Sequence, residues 1–435
     1  MRVQIEKLVY GGEGLAHANG EAVFVPFVLP GEEVEIETEE RKKKFVRGRL
    51  TRVVTASPER VDAQCPHFGV CGGCDYQHIA YEAQLRHKEH ILRETLRRLG
   101  KIDWTGSITV YASPPWQYRN RAQWKIRPIA GDRADTSASG PASIGYFQAG
   151  SSTLCPVEAC PILSPKLFAT FEALRSALRE GKLPETLREV ETFVDAEDHG
   201  VLLNISCTSL PRAAESLAQM LSERIADVKS ILIQDVRGER MSLHGPGFLQ
   251  YKVAQNSFRV GHMSFFQVNR FLVKEMASIV ATAAGSGEVA VDLYAGVGLF
   301  AMSLAKRFER VEAVEANPAS ARDLETNAGL SGKTIAARND STEAFLAAWK
   351  RKRGVAAPDV VIADPPRAGI EPDGLETLIE IAPQRIVYAS CDPSTLARDL
   401  AKLCAKAYAL QELYLFDMFP HTYHIEAIAR LERVR

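Results

Sequence analysis

The chain has 435 residues, of which 46% are hydrophobic and 25% charged, and its formal net charge is −1. At roughly 100–200 residues per domain this allows two to four domains whose cores need no disulfide staples; a charge near zero neither requires nor excludes a nucleic-acid partner, because binding depends on local patches. The amino terminus lacks a basic segment followed by an apolar run, and no stretch reaches the roughly 18 apolar residues of a membrane helix, so the expectation is a cytoplasmic protein without a membrane partner, its eight cysteines reduced unless they bind metal or do chemistry.

Residues 1–56 read as short strands. Apolar alternation over 1–8, 22–28 and 34–36 is broken by Gly11-Gly12, Asn19-Gly20 and Pro30-Gly31. The acidic run 35–40 precedes the basic run Arg41-Lys42-Lys43-Lys44, and Arg47, Arg49 and Arg52 then interleave with Val46, Leu50 and Val53, which puts the arginines on one strand face. A small β-barrel with such a face suits oligonucleotides; a solvated charged edge strand is the plainer alternative.

Residues 57–265 are expected to form a second, mostly β unit. It opens with Cys65-x5-Cys71-x2-Cys74. Three cysteines within ten residues of a reduced chain point to a metal or an iron–sulfur cluster; zinc sites often use two CxxC pairs and clusters usually four thiolates, so a further ligand is needed, for which Cys155 and Cys160 are candidates. Cys207 and Cys404 sit in apolar patterns and read as core. The spacing predicts an amphipathic helix over 81–99, with Leu85, Ile91, Leu92, Leu96 and Leu99 apolar and Arg86, Lys88, Arg93, Arg97 and Arg98 on the wet face. Further helices fit 165–180 and 212–226, and the Gly/Ala/Ser/Asp-rich stretch 130–143 reads as a mobile loop. Arg119, Arg121, Lys125 and Arg127 around Tyr118 and Trp124 suit unpaired RNA bases.

From 266 to 435 strands alternate with helices: a helix over 270–284, then strands over 289–293, 310–314, 360–363 and 385–389, which implies a parallel sheet covered on both faces. The first strand runs into Tyr294-Ala295-Gly296-Val297-Gly298, a turn in which glycines admit close backbone approach to a ligand, and the next ends at Glu315, placed to hold ribose hydroxyls. Asp364-Pro365-Pro366-Arg367 ends another strand, and the prolines stiffen the backbone around Asp364. Cys391 follows the last of these strands and precedes a helix start at Asp392-Pro393; a helix N-terminus lowers a thiol pKa. A thiolate there can activate carbon 5 of a uracil by adding to carbon 6, and the adduct then needs a base, for which Glu426 is the candidate.

Taken in order, Phe265-Phe266-Gln267-Val268-Asn269, Asp364-Pro365-Pro366-Arg367, Ser390-Cys391-Asp392-Pro393 and Asp417-Met418-Phe419-Pro420-x-Thr422-x-His424-x-Glu426 resemble the RNA uracil-5-methyltransferase family, over nearly the whole chain. Residues 11–16, Phe24-Val25-Pro26 and Leu29-Pro30-Gly31-Glu32 resemble the TRAM domain, an oligonucleotide-binding barrel. The resemblance implies a multi-domain α/β protein: a TRAM-like barrel (1–56), a central β-rich domain with an iron–sulfur cluster (57–265) and a Rossmann-like class I methyltransferase domain (266–435). It implies Cys391 as nucleophile and Glu426 as base; Gln267, Tyr294, Glu315, Asp364 and, toward the adenine, Asp340 as S-adenosylmethionine (SAM) contacts; Phe265 near the target base; and Cys65, Cys71, Cys74 and Cys160 as ligands of a 4Fe–4S cluster, because Cys160-Pro161-Ile162-Leu163 matches the family's fourth-ligand motif. Leu299 departs from relatives that carry Asn there. Members with both the TRAM segment and the cysteine set mostly act on large-subunit ribosomal RNA, so the expected partner is 23S-type ribosomal RNA and the protein a monomer. The alternatives are a tRNA uracil-5-methyltransferase, a radical-SAM tRNA-modifying enzyme, and a non-enzymatic RNA-binding redox sensor.

Overall fold

The computed structural model describes residues 1–128, 142–332, 334–352, 354 and 356–434. The glycine-punctuated amino-terminal segment folds into six strands, β1 (Arg2–Gln4), β2 (Lys7–Leu8), β3 (Glu13–Ala18), β4 (Glu21–Pro26), β5 (Glu33–Arg41) and β6 (Phe45–Thr55), in one sheet ordered β1-β5-β6-β4-β3-β2. Their inward residues, among them Val3, Val23, Val25, Val34 and Val46, bury one small core. Arg49 and Arg52 lie three apart, which a regular strand would split between faces; a register shift between Glu35 and Ile36 on β5 inserts a bulge that keeps both exposed. The arginine face is not a free cationic stripe: Arg47 meets Glu13 of β3 and, at 3.8 Å, Glu40, Arg49 meets Glu37, and Arg52 meets Glu35 at 2.8 Å, so glutamates of β3 and β5 partner the arginines of β6.

Helix α1 (Tyr81–Gly100) forms where the apolar period predicts it and buries Ile91, Leu92 and Leu96. Two details differ from the amphipathic reading. Leu99 is exposed, and Lys88 is fully buried, its Nζ 2.6 Å from Asp417 Oδ1 and donating also to the Phe419 carbonyl. A buried cation needs such partners, and removing one strands the other, at a cost of about 3–5 kcal/mol. Lys88→Met is therefore expected to lower the denaturant midpoint sharply, measured by urea unfolding followed by circular dichroism; an unchanged midpoint would show that Asp417 finds another partner.

The central sheet comprises β8 (Arg121–Pro128), β9 (Ala142–Phe147), β10 (Leu154–Pro156), β11 (Leu187–Val194), β12 (Val201–Cys207), β13 (Val228–Asp235) and β14 (Met241–His244), ordered β10-β9-β8-β11-β12-β13-β14. Between them come β7 (Ile108–Tyr111), which joins another sheet, and helices α2 (Pro165–Arg179) and α3 (Ala214–Arg224), whose apolar stripes share a core with one face of the central sheet. The stretch read as a loop over 130–143 lies outside the described residues except for Ala142 and Ser143, which begin β9. A hairpin of β15 (Phe248–Val253) and β16 (Asn256–Gly261) leads to the last unit.

There α4 (Val273–Ala284) starts three residues later than read, because Asn269 Oδ1 accepts from the Phe271 and Leu272 N–H groups and holds residues 270–272 as a lead-in. Then follow β17 (Gly287–Leu293), α5 (Leu299–Leu304), β18 (Phe308–Glu315), α6 (Pro318–Leu330), β19 (Ile335–Asn339), α7 (Thr342–Arg351), β20 (Val360–Ala363), α8 (Pro372–Ile381), β21 (Arg385–Ser390), α9 (Pro393–Lys406), β22 (Tyr408–Phe416) and β23 (Glu426–Arg433). A polar cap followed by proline, Asn317-Pro318 and Asp392-Pro393, starts α6 and α9 just past the carboxyl ends of β18 and β21. The sheet order is β19-β18-β17-β20-β21-β23-β22-β7, with β17 to β21 parallel and β23 antiparallel. Both β7, at its edge, and α1, packed on α9 through the same core, precede residue 266 in the chain.

Candidate active site

In an open parallel sheet, ligands sit beyond the carboxyl ends of the strands. Read across this sheet, those ends present Asp340 after β19, Glu315 at the end of β18, Tyr294 after β17, Asp364 after β20 and Cys391 after β21. Glu426 joins them because β23 runs the other way: Ser390 pairs with Ala427, so Cys391 and Glu426 leave the sheet at one edge. Gln267 arrives from the segment before α4. Its backbone carbonyl accepts from Asn120 Nδ2 at 3.3 Å, and Asn269 Nδ2 reaches the carbonyls of Asp417 and Met418.

A cleft lined by Phe265, Gln267, Tyr294, Gly296, Leu299 and Asp364 opens along this edge. Tyr294 holds a positive φ of 60°, a costly conformation for a residue with a side chain, and it turns the chain out of β17. Gly298, at φ 97°, starts α5; a Cβ there would stand 2.9 Å from Leu324 Cδ1. Glu315 closes the turn, its Oε2 accepting from the Gly296 N–H at 2.8 Å and its Oε1 from Asn317. Asp340 is exposed. Leu299 buries an apolar side chain at the cleft wall.

The ionisable groups disturb one another. Burial raises the Asp364 carboxyl to about 6. Burial and then Asp364 push Glu426 well above the carboxylate range. Cys391 is pushed up to about 11, first by burial and then by Glu426 and Asp364, against the lowering pull of Arg367. This corrects the expectation of a thiol depressed by a helix N-terminus: Asp392 Oδ1 accepts from the Ser394 and Thr395 N–H groups and so satisfies the end of α9 itself. Asp292, wholly buried beneath the turn, accepts from the Ala301 N–H and is raised to about 8 by burial.

Two further neighbours shape the site, one from within the motifs and one, Tyr10, from outside them. Arg367 Nη2 lies 3.4 Å from the His424 ring, joining the Asp-Pro-Pro-Arg loop to the last motif. Tyr10, from the amino-terminal sheet, donates its hydroxyl to Asp392 Oδ2 at 3.1 Å, and its ring meets Tyr423 edge-on at 5.6 Å. The amino-terminal unit thus touches the residue following Cys391. Nothing local to Tyr10 signals a partner 382 residues away. Tyr10→Phe keeps the ring and removes the bond, which is worth roughly a tenfold effect; slower methyl transfer at saturating RNA with unchanged RNA affinity is expected from single-turnover rates and filter binding, and a rise in Kd with an unchanged rate would reverse that assignment.

The cysteines of the second unit gather on the other side of Arg367. Cys65, Cys71, Cys74 and Cys160 line one cavity of about 350 Å³ with Arg119, Tyr146, Phe419, Thr422 and His424. Burial first, and the neighbouring thiols after it, raise Cys74 and Cys160 to about 12 and Cys71 to about 11. Among the described residues, no three His, Cys, Asp or Glu side chains converge as a single metal ion requires. Cys155, buried on β10, is outside the cavity lining. Cys207 is wholly buried, and Cys404 is half-buried against the catalytic core. One reading of this unit is overturned. Tyr118 and Trp124 are fully buried, so neither is offered to RNA bases, while Arg121 lies over the Phe193 ring at 4.3 Å. Phe265, by contrast, is 60% exposed. No helix of the described residues is long and apolar enough to cross a membrane.

A parallel sheet with a glycine turn, an acid ending the next strand and a cleft between them is the arrangement in which nucleoside-bearing cofactors are held, and the chain's relatives narrow it to SAM-dependent methyltransferases. Residues 80–434 match the family described as tRNA (Uracil-5-)-methyltransferase, and residues 1–58 match the TRAM domain of tRNA (uracil(54)-C(5))-methyltransferase. An RNA methyltransferase of Aquifex aeolicus is 34% identical over 99% of this chain and 98% of its own; one of Halalkalibacterium halodurans is 33% identical over 99% and 96%. The crystal structure of the Pyrococcus abyssi tRNA (uracil-54, C5)-methyltransferase in complex with S-adenosyl-L-homocysteine superposes with a TM-score of 0.75 at 26% identity, covering 99% of this chain and 100% of that one. The chain belongs to the tRNA (uracil-5-)-methyltransferase family of SAM-dependent RNA methyltransferases.

Proposed function

We propose that the protein methylates carbon 5 of a uridine in RNA through a covalent bond between Cys391 and carbon 6 of the uracil. The observation that carries this reading is the meeting of Cys391, Glu426 and Asp364 at one sheet edge beside the cleft. SAM, when bound, supplies a methyl group on a sulfonium. Asp340, Glu315, Tyr294 and Asp364 follow one another along the sheet toward Cys391, with Gln267 on the cleft wall they share, an order that suits adenine, ribose and then the methionine end. Phe265 stands where the target base enters. The Cys391 thiol gives up its proton to solvent and its sulfur adds to carbon 6, and the carbon 5 enolate so formed would take the methyl group that SAM supplies. The Glu426 carboxylate then removes the carbon 5 proton, the ring double bond re-forms, and the sulfur departs.

In this reading residues 1–56 contact RNA, residues 57–265 carry the cysteines and residues 266–435 catalyse, with α1 and β7 lent to the last sheet. A 4Fe–4S cluster held by Cys65, Cys71, Cys74 and Cys160 is part of the proposal. Each thiolate of a cluster binds its own iron, so four thiols around a shared cavity suit it better than they suit one zinc ion. The cluster would tie the second unit to the segment Phe419–His424, which helps wall the same cavity. Cys65→Ser is expected to cost anaerobically purified protein its brown colour and iron; full iron retention removes Cys65 from the ligand set.

Large-subunit ribosomal RNA is the proposed substrate, on the co-occurrence of the TRAM segment and the cysteine set. tRNA is the second reading, favoured by the full-length likeness to an archaeal enzyme named for uracil 54 of tRNA. That likeness includes the amino-terminal unit, so the TRAM segment alone does not separate the two RNAs. The test offers 5-fluorouridine-substituted ribosomal RNA or tRNA with SAM and runs a denaturing gel. Fluorine cannot leave as a proton does, so the true substrate is trapped. A band with tRNA only moves the substrate; a band with neither rejects the Cys391 chemistry.

A further inference from the structure

The central sheet has two unlike faces. Trp124, Val190, Ile205 and Ile233 point into the core shared with α2 and α3. On the opposite face the register aligns Gln123, Glu191 and Asn204 in one row, and Lys125, Glu189, Ser206, Gln234 and Met241 in the next. At Phe193 and Leu202 this second face is covered by the β15–β16 hairpin, whose Tyr251 packs there with Phe266. Past Glu191 the cover ends. The open part is a hollow of about 310 Å³, walled by Gln123, Asn204, Gln234, Met263 and Phe265 and by Arg121 with Glu191, whose charges offset each other. Phe265 also lines the cleft beside Asp364, so one ring divides the two. Met263 is 56% exposed, and together with Phe265 it offers apolar surface beside a polar floor.

The floor mixes donors and acceptors with little net charge. Glu189 is matched by Lys125 and Gln123, and Glu191 accepts from Asn204 Nδ2 at 3.0 Å. Such a surface suits base edges rather than phosphates. Cations gather farther along β8, where Lys125 and Arg127 lie 5.8 and 6.0 Å from the centre of the Phe147 ring. Unpaired RNA is held by this combination of stacking groups, base-edge hydrogen bonds and a nearby cationic track. A uridine that leaves its stack to reach Cys391 also separates its neighbours from theirs.

We propose that this uncovered face binds the single-stranded RNA flanking the target uridine, with one neighbouring base in the hollow behind Phe265 and the chain continuing toward Lys125 and Arg127. The inference rests on the RNA-methylating reading and adds to it the surface that selects the sequence around the target. Two measurements on the full chain test it. In the first, 4-thiouridine is placed at each position within three nucleotides of a trapped 5-fluorouridine, cross-linked by near-ultraviolet light, and the peptides mapped by mass spectrometry. Cross-links to β8, β11, β12, β13 or residues 261–265 are expected; a trapped complex whose cross-links all lie elsewhere overturns the assignment. In the second, Gln123→Ala combined with Gln234→Ala is compared with the parent by RNA binding without SAM. About a tenfold rise in Kd is expected, with SAM affinity unchanged. Equal RNA affinity overturns the proposal even where trapping succeeds. Failure of trapping with weakened binding by the double variant rejects the Cys391 chemistry and keeps the surface.

Discussion

Replacing Cys391 by alanine is expected to lower methyl transfer by about four orders of magnitude or more, the scale on which loss of a covalent nucleophile is felt. Uracil carbon 5 is too poor a nucleophile to take the methyl group unless a bond at carbon 6 raises its electron density, and among the six residues at this sheet edge Cys391 alone carries such a nucleophile. The measurement is single-turnover transfer of labelled methyl groups, paired with the denaturing gel. Both signals should vanish while SAM binding, assigned in the proposal to Asp364, Glu315 and the Gly296 turn, persists. Transfer by Cys391→Ala at the parent rate would end the covalent mechanism. Because burial and two carboxylates hold the thiol at about 11, the parent's adduct formation should quicken as pH rises from neutral toward that value.

Glu426→Gln separates the two halves of the reaction. Glutamine keeps the shape but cannot take the carbon 5 proton, so the methylated adduct should form and then persist. Turnover is expected to fall by roughly 10²–10⁴-fold, the usual contribution of a positioned base, with the protein–RNA band accumulating on natural RNA. Normal turnover would assign the proton to another group. The buried carboxyls also link stability to pH. Asp292 at about 8 and Asp364 at about 6 bind protons more tightly than ordinary carboxyls, as does Glu426. Burial lowers His78, His262, His421 and His424 to about 4, so below about pH 6.5 the unfolded chain holds protons that these four do not; from there to about pH 8 the folded protein holds more protons than the unfolded one, and stability falls as pH rises. Thermal melts between about pH 6.5 and 8 should show the decline, and Asp292→Asn should shrink it.

The βα alternation of the last unit was legible residue by residue, because a strand buried on both faces must be apolar throughout and must end where glycine, proline or a capping acid stops it. Val289-Ala290-Val291 and Val387-Tyr388-Ala389 could hardly be anything else, and the motifs that follow them carry the family resemblance. The cysteine triplet announced a shared site, since three reduced thiols so close in sequence have few other reasons to be there. Local pattern failed where a group's partner lies far along the chain. Lys88 looked like a wet helix residue, but Asp417 buries it; the arginines of β6 looked unpaired, but glutamates of β3 and β5 match them; Tyr118 and Trp124 looked like base contacts, but both fill the core. Cys391 seemed set for a low pKa by the helix behind it, and instead meets two buried carboxylates and a cap already satisfied by Asp392. Periodicity and turn chemistry are properties of neighbours in the chain and can be read there; desolvation and charge pairing depend on which distant segments meet, and only the packed sheets decide that.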